Sequence, residues 1–129
     1  MIVKEINGVP HVIDSAFYAV RRNSRVTLTV EVGDFQAGGT AYEWKGKTVT
    51  GDPNFTDHPV NPAKTKIAGT IMHCESKVLD IRADTNRTSV TYTLKGGVED
   101  QEFPYGVQVP SEHGLAVYQV TFIFVEQAT

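Results

Sequence analysis

The run at 115–126, Leu-Ala-Val-Tyr-Gln-Val-Thr-Phe-Ile-Phe-Val-Glu, constrains the fold more than any other segment of the chain. It is rich in β-branched and aromatic residues and contains neither glycine nor proline, which is typical of a buried β-strand. Both alternating faces of the run are largely apolar. The pattern therefore predicts a strand at the centre of a sheet, or one that contacts a partner chain.

Two further runs, 25–32 and 87–95, alternate between apolar and polar residues with the period of a half-buried antiparallel strand. Their predicted inward residues are Val26, Leu28, Val30 and Val32 in the first run and Val90, Tyr92 and Leu94 in the second. Another strand is predicted at 76–83, with Leu79, Ile81 and Ala83 inward.

The dipeptide Asn7-Gly8 lies between two apolar runs, 2–6 and 9–13. This arrangement favours a β-hairpin, because a type I′ turn needs a positive φ at both central residues. The predicted register places apolar residues opposite one another: Ile6 with Val9, Val3 with Val12, and Ile2 with Ile13. Residues 14–22 could form a short capped helix or a strand, and their β-rich flanks favour the strand.

Many short strands separated by turn signals, with no convincing long helix, indicate an all-β chain. Its 129 residues are one domain's worth. We therefore predict that residues 1–129 form a single antiparallel β-sandwich, immunoglobulin-like or jelly-roll-like, with a closed barrel as the alternative.

Two segments resemble parts of an immunoglobulin-like sandwich. Residues 41–47, Ala-Tyr-Glu-Trp-Lys-Gly-Lys, resemble the strand that carries the core tryptophan of that fold. Residues 111–118, Ser-Glu-His-Gly-Leu-Ala-Val-Tyr, resemble the turn and tyrosine that precede its late core strand. The paired cysteines of the family are absent. The resemblance implies a sandwich architecture, and it implies binding or scaffolding by analogy alone.

The charge pattern excludes some classes of function. A formal net charge of −3 argues against a nucleic-acid-binding protein, which needs a surplus of lysine and arginine on one face. Arg21, Arg22 and Arg25 form the one basic cluster of the sequence, and its small size is typical of a solvated surface rather than of an anion site.

No window approaches the ~20 apolar residues of a membrane-spanning helix, so no membrane insertion is expected. The sequence as given shows no signal peptide. This favours a cytoplasmic location, with export after removal of a leader as the alternative.

The loop at 51–58, Gly-Asp-Pro-Asn-Phe-Thr-Asp-His, is the best candidate for a metal site. Asp52, Asn54 and Asp57 offer the oxygen ligands that calcium prefers, and His58 follows them. The same residue types also bond the local backbone in turns, which is the favoured interpretation. We therefore expect no cofactor, with calcium as one alternative and zinc held by histidines from separate strands as the other.

Five aromatic residues could line a carbohydrate-binding face, since flat rings stack on the apolar faces of sugars: Tyr42, Trp44, Phe55, Phe103 and Tyr105. In a domain with one tryptophan, however, that residue is more often in the core. A glycan ligand is therefore kept as an alternative.

The sequence holds no nucleophile elbow, P-loop or dinucleotide-binding fingerprint. We expect a non-catalytic protein-recognition or assembly module that binds a protein partner or a second copy of itself. The alternatives are a small-ligand-binding protein or metal-dependent enzyme of barrel or jelly-roll type, a carbohydrate-binding domain, and a structural subunit of a phage or a secretion machine.

Overall fold

Two β-sheets account for the regular structure in the computed structural model, which describes residues 1–33, 36–51, 55–110 and 113–128. The strands within these residues are β1 (Ile2–Ile6), β2 (Val9–Val20), β3 (Thr27–Val32), β4 (Ala37–Trp44), β5 (Lys47–Gly51), β6 (His58–Pro59), β7 (Ile71–Leu79), β8 (Arg87–Lys95), β9 (Gln101–Gln108) and β10 (Leu115–Glu126). Within this described part of the chain, no helix has the length and apolar character needed to cross a membrane.

One sheet has six strands in the order β1-β2-β10-β7-β4-β5, and the other has four in the order β6-β3-β8-β9. Neighbouring strands are antiparallel except β2 and β10, which run parallel. The apolar side chains of both sheets meet in one core. The predicted all-β sandwich is therefore confirmed.

The run at 115–126 forms β10, which lies between β2 and β7 in the larger sheet. Its inward residues, Tyr118, Val120, Phe122 and Phe124, are almost fully buried. The prediction of a central strand is thus confirmed.

The Asn7-Gly8 hairpin has the predicted register, with Ile6 opposite Val9 and Ile2 opposite Ile13. Its turn residues have φ values of 51° and 77°, as a type I′ turn requires. The ambiguous residues 14–22 are mostly strand, since β2 extends to Val20 alongside β10.

The inward residues predicted for β3 and β8 face the core. The prediction for 76–83 is wrong, because β7 continues in the opposite phase and buries Met72, Cys74, Ser76 and Val78. Leu79 and Ile81 are 38% and 50% exposed. The Ser76 hydroxyl can occupy the core because it hydrogen-bonds with the hydroxyls of Thr40 at 2.7 Å and Tyr92 at 2.5 Å.

Candidate functional site

The five aromatic residues proposed as a carbohydrate-binding face lie in two separate parts of the sandwich. One part is at β4, which carries the buried Tyr42 and Trp44 and packs against the buried Phe55. The other part is at the edge strand β9, from which Phe103 and Tyr105 point inward. Trp44 is 7% exposed, and its indole N–H donates to the Thr70 hydroxyl at 2.8 Å. The structure therefore does not bring these rings together on one exposed surface.

The predicted metal ligands are described only in part, because Asp52 and Asn54 lie outside the described residues. The Asp57 carboxylate is 3.8 Å from the Lys95 ammonium and accepts a hydrogen bond from the Thr29 hydroxyl at 3.3 Å. The His58 ring packs on Phe55, with centroids 5.1 Å apart. Among the described residues, no three His, Cys, Asp or Glu side chains are close enough to share a metal ion.

Tyr105 links the edge strand β9 to β2. Its hydroxyl donates to Asp14 Oδ2 at 2.7 Å, and Asp14 lies on the inward-facing side of β2. Burial opposes ionisation of Asp14, but the hydrogen bonds from Tyr105 and from the Ser15 backbone N–H, together with the N-terminal ammonium of Met1 at 3.4 Å from Oδ1, lower its pKa below the usual 3.8.

The Tyr105 bond predicts an acid-dependent contribution to stability. Because the pKa of Asp14 is lowered by folding, this contribution is present above pH 3.8 and is lost as pH falls through the folded-state pKa. We expect Tyr105→Phe to lower the free energy of unfolding at neutral pH, and the gap from the wild type to shrink in acid. Urea unfolding measured from neutral pH to about pH 3 tests this.

Tyr18→Phe is the matched control, because the Tyr18 hydroxyl bonds backbone groups: its one proton lies between the carbonyls of Glu99 at 2.7 Å and Leu94 at 3.1 Å, and its oxygen accepts from the Gly97 N–H at 3.0 Å. Its stability gap should not vary over the same range of pH. An equally constant gap for Tyr105→Phe would contradict the role assigned to Asp14.

The two outer faces of the sandwich differ in chemistry. On the four-stranded sheet the outward residues of β3 and β8 are mostly hydroxyl-bearing or charged: Thr27, Thr29, Glu31, Ser89, Thr91 and Thr93. Such a face is readily solvated.

The outer face of the six-stranded sheet carries an apolar row across three strands. Phe17 of β2 is directly opposite Ile123 of β10, which is in turn opposite Ile71 of β7. Phe17 is 68% exposed and Ile71 46% exposed, and Val125 lies next to them at 38%. These four residues, here called the apolar row, form a contiguous apolar group on this face.

The opposite end of the same face is also apolar. Leu115 of β10 lies directly opposite Leu79 of β7. Between the two ends lies a polar band in which Glu75 is 3.9 Å from Lys77 and accepts a hydrogen bond from Gln119 at 3.2 Å. The face is thus apolar at both ends, and on the β1–β2 side its middle also carries Ile13, opposite Gln119, and Ile2, opposite Ile13.

The sequence pattern predicts part of this face. The apolar outer side of 115–126 was the signal for Ile123 and Val125, whereas Phe17 lay in the ambiguous segment and Leu79 was assigned to the core. Only the parallel pairing of β2 with β10 aligns Phe17 with Ile123, and that pairing joins residues far apart in the chain.

These features define a protein of the all-β sandwich class with one polar and one partly apolar outer face. Comparison of the chain with known protein families, with curated proteins and with solved structures found no match.

Proposed function

We propose that this chain is a non-catalytic assembly module that binds a second copy of itself through the outer face of the six-stranded sheet. The observation that carries the proposal is the apolar row. Exposed contiguous apolar side chains mark interaction surfaces in soluble proteins, whereas single exposed ones do not. The outer face of the four-stranded sheet is polar, so only the outer face of the six-stranded sheet offers an apolar contact surface among the described residues.

The size of the face suits a second copy. With strands about 4.8 Å apart and a rise of about 3.3 Å per residue, the six strands cover about 800 Å². That is about the area that each partner contributes to a standard protein interface. Stacking two such faces over their full extent would therefore bury an interface of standard size.

The face is also compatible with itself. A two-fold axis lying in the face, perpendicular to the strands, reverses the strand direction of the second copy. The apolar row of one copy then faces the Leu115–Leu79 end of the other. The polar band lies near the axis, where Glu75 is already paired with Lys77 and Gln119. Covering paired groups is less unfavourable than covering an isolated charge.

The immunoglobulin-like resemblance supports this proposal only as a sandwich architecture. In immunoglobulin domains, strand F lies between the last strand, G, and strand C, which carries the tryptophan. Strand F comes later in the chain than every strand of the opposite sheet. In this chain β7 lies between the last strand, β10, and the tryptophan strand, β4, but it comes before β8 and β9 of the opposite sheet. The strand order therefore differs from that of immunoglobulin domains. We therefore base the proposal on the face and not on a binding mode of that family.

The proposal predicts that Phe17→Lys weakens self-association at least about tenfold, because it places an unpaired charge in the apolar contact. Sedimentation velocity over a range of concentrations measures the effect. The matched control is Thr91→Lys, which adds the same charge to the polar outer face of β8 and should dimerise like the wild type.

Circular dichroism and thermal unfolding establish that both variants are folded. A wild-type chain that stays monomeric at the highest attainable concentration would overturn the proposal. So would a Phe17→Lys variant that dimerises as tightly as the wild type.

A further inference from the structure

Four basic side chains from two distant segments line one cavity of about 380 Å³. Arg22 and Arg25 come from the connection between β2 and β3, and Lys64 and Lys66 come from the segment before β7. The small arginine cluster of the sequence therefore gains two lysines in the folded chain. We call this cavity the basic pocket.

The walls of the basic pocket are two facing turns. In the first, the Ser24 N–H donates to the Arg21 carbonyl at 3.1 Å, and the Ser24 hydroxyl accepts from the Arg21 N–H at 2.8 Å. In the second, the Thr65 N–H donates to the Pro62 carbonyl at 3.1 Å. Each turn thus has its own internal hydrogen bonds.

Asn61 joins the two turns and is 1% exposed. Its amide nitrogen donates to the Ser24 carbonyl at 3.0 Å and to the Thr65 carbonyl at 2.7 Å, and its oxygen accepts from the Val26 N–H at 2.9 Å. The two turns that line the basic pocket are therefore fixed relative to each other by a buried side chain, which reduces the entropy that a ligand must remove on binding.

The charge of the basic pocket is largely uncompensated. Among the described residues that line it, none is acidic. Lys66 is 3.6 Å from the exposed Glu126, whereas Arg22, Arg25 and Lys64 form no ion pair with any described residue. This concentration contrasts with the net charge of −3 for the whole chain. Like charges gathered in a concave site repel one another and attract an anion.

We propose that the basic pocket binds the phosphate group of a small phosphorylated molecule. Arginine guanidinium groups present paired N–H donors that match phosphate oxygens, and lysines add point charges. Four cations favour a multiply charged phosphate over a singly charged carboxylate. The cavity lies within the range of about 300–1,000 Å³ typical of small-molecule sites, so it has room for more than one phosphate group or for an organic phosphate.

A polymeric nucleic acid is a poorer fit than a small molecule. Binding along a nucleic-acid backbone requires a stripe of cations. Here the cations surround a single pocket on an acidic chain.

The test is a titration with pyrophosphate followed by isothermal calorimetry and by amide chemical shifts. We expect saturable binding, shifts in residues 22–25 and 63–66, and an affinity that falls as salt is added. Arg22→Gln combined with Lys64→Gln should weaken binding about tenfold or more. These positions are exposed, so the double variant should fold, and circular dichroism verifies it.

The matched control is Lys45→Gln combined with Lys47→Gln, which removes the same charge from the exposed β4–β5 hairpin and should leave binding unchanged. Absence of binding, equal affinity for the Arg22/Lys64 double variant, or equal shifts with acetate at matched ionic strength would each overturn the proposal. None of these results depends on dimerisation, so the assembly proposal stands or falls separately.

Vesicles of phosphatidylcholine containing phosphatidic acid distinguish the source of the phosphate. Pyrophosphate binding without co-sedimentation supports a soluble ligand. Co-sedimentation that is lost in the Arg22/Lys64 double variant would show that the phosphate belongs to a lipid headgroup. This result would overturn the proposal of a soluble ligand.

Discussion

Replacing Phe122 by alanine is expected to lower the free energy of unfolding by about 3–5 kcal/mol. Phe122 is fully buried on the central strand β10. Its ring meets Phe103 edge-on at a centroid distance of 5.0 Å and Tyr92 at 5.8 Å. Truncation removes both ring contacts and leaves a cavity between the sheets, which a pleated core cannot readily close.

The neighbouring residue provides the control for this prediction. Ile123 follows Phe122 but faces outward in the apolar row, so Ile123→Ala should lower the stability of the monomer by about 1 kcal/mol or less. Guanidinium unfolding at a concentration where the chain is monomeric measures both variants. Equal losses would contradict the assignment of opposite faces to the two residues.

Asn61→Ala is expected to have the second largest effect, a loss of about 2–4 kcal/mol. The substitution removes three hydrogen bonds at once and leaves the N–H of the buried Val26 without its acceptor. It also disconnects the two turns, so pyrophosphate binding to the basic pocket should weaken even though all four cations remain.

Asn23→Ala is the matched control, since Asn23 lies in the same turn but is exposed. Its effect on stability should stay within about 0.5 kcal/mol. Urea unfolding of both variants and of the wild type measures the two losses in free energy of unfolding. A loss below about 1 kcal/mol for Asn61→Ala would show that the turns do not depend on its amide.

Local patterns were sufficient for the parts of the fold that depend on neighbouring residues. The Asn7-Gly8 turn determines the register of β1 against β2, because the loop length leaves little freedom in the pairing. The apolar pattern of 115–126 likewise predicted a central strand, and β10 lies between β2 and β7 with its inward side in the core.

The phase of β7 could not be obtained in the same way. Hydrophobicity favours Leu79 inside and Ser76 outside, whereas the folded chain has the reverse. Ser76 is buried because Thr40 and Tyr92, on two other strands, supply its hydrogen bonds. A pattern along one strand does not contain that information.

The candidate sites depended even more on distant contacts. Arg22 and Lys64 are separated in the sequence by four strands, β3 to β6, and Asn61 brings their turns together. The apolar row likewise needs β2, β10 and β7 side by side. Composition could show that such residues exist, but only the strand order shows that they meet.

The parallel pairing of β2 with β10 has a consequence for biosynthesis. The ribosome releases β2 and β7 long before β10, which is the strand that must be inserted between them. Until then both carry unsatisfied backbone edges that invite erroneous pairing in the crowded cell. Acquisition of the native topology must wait for this late insertion, and so many contacts between remote parts of the chain favour slow maturation.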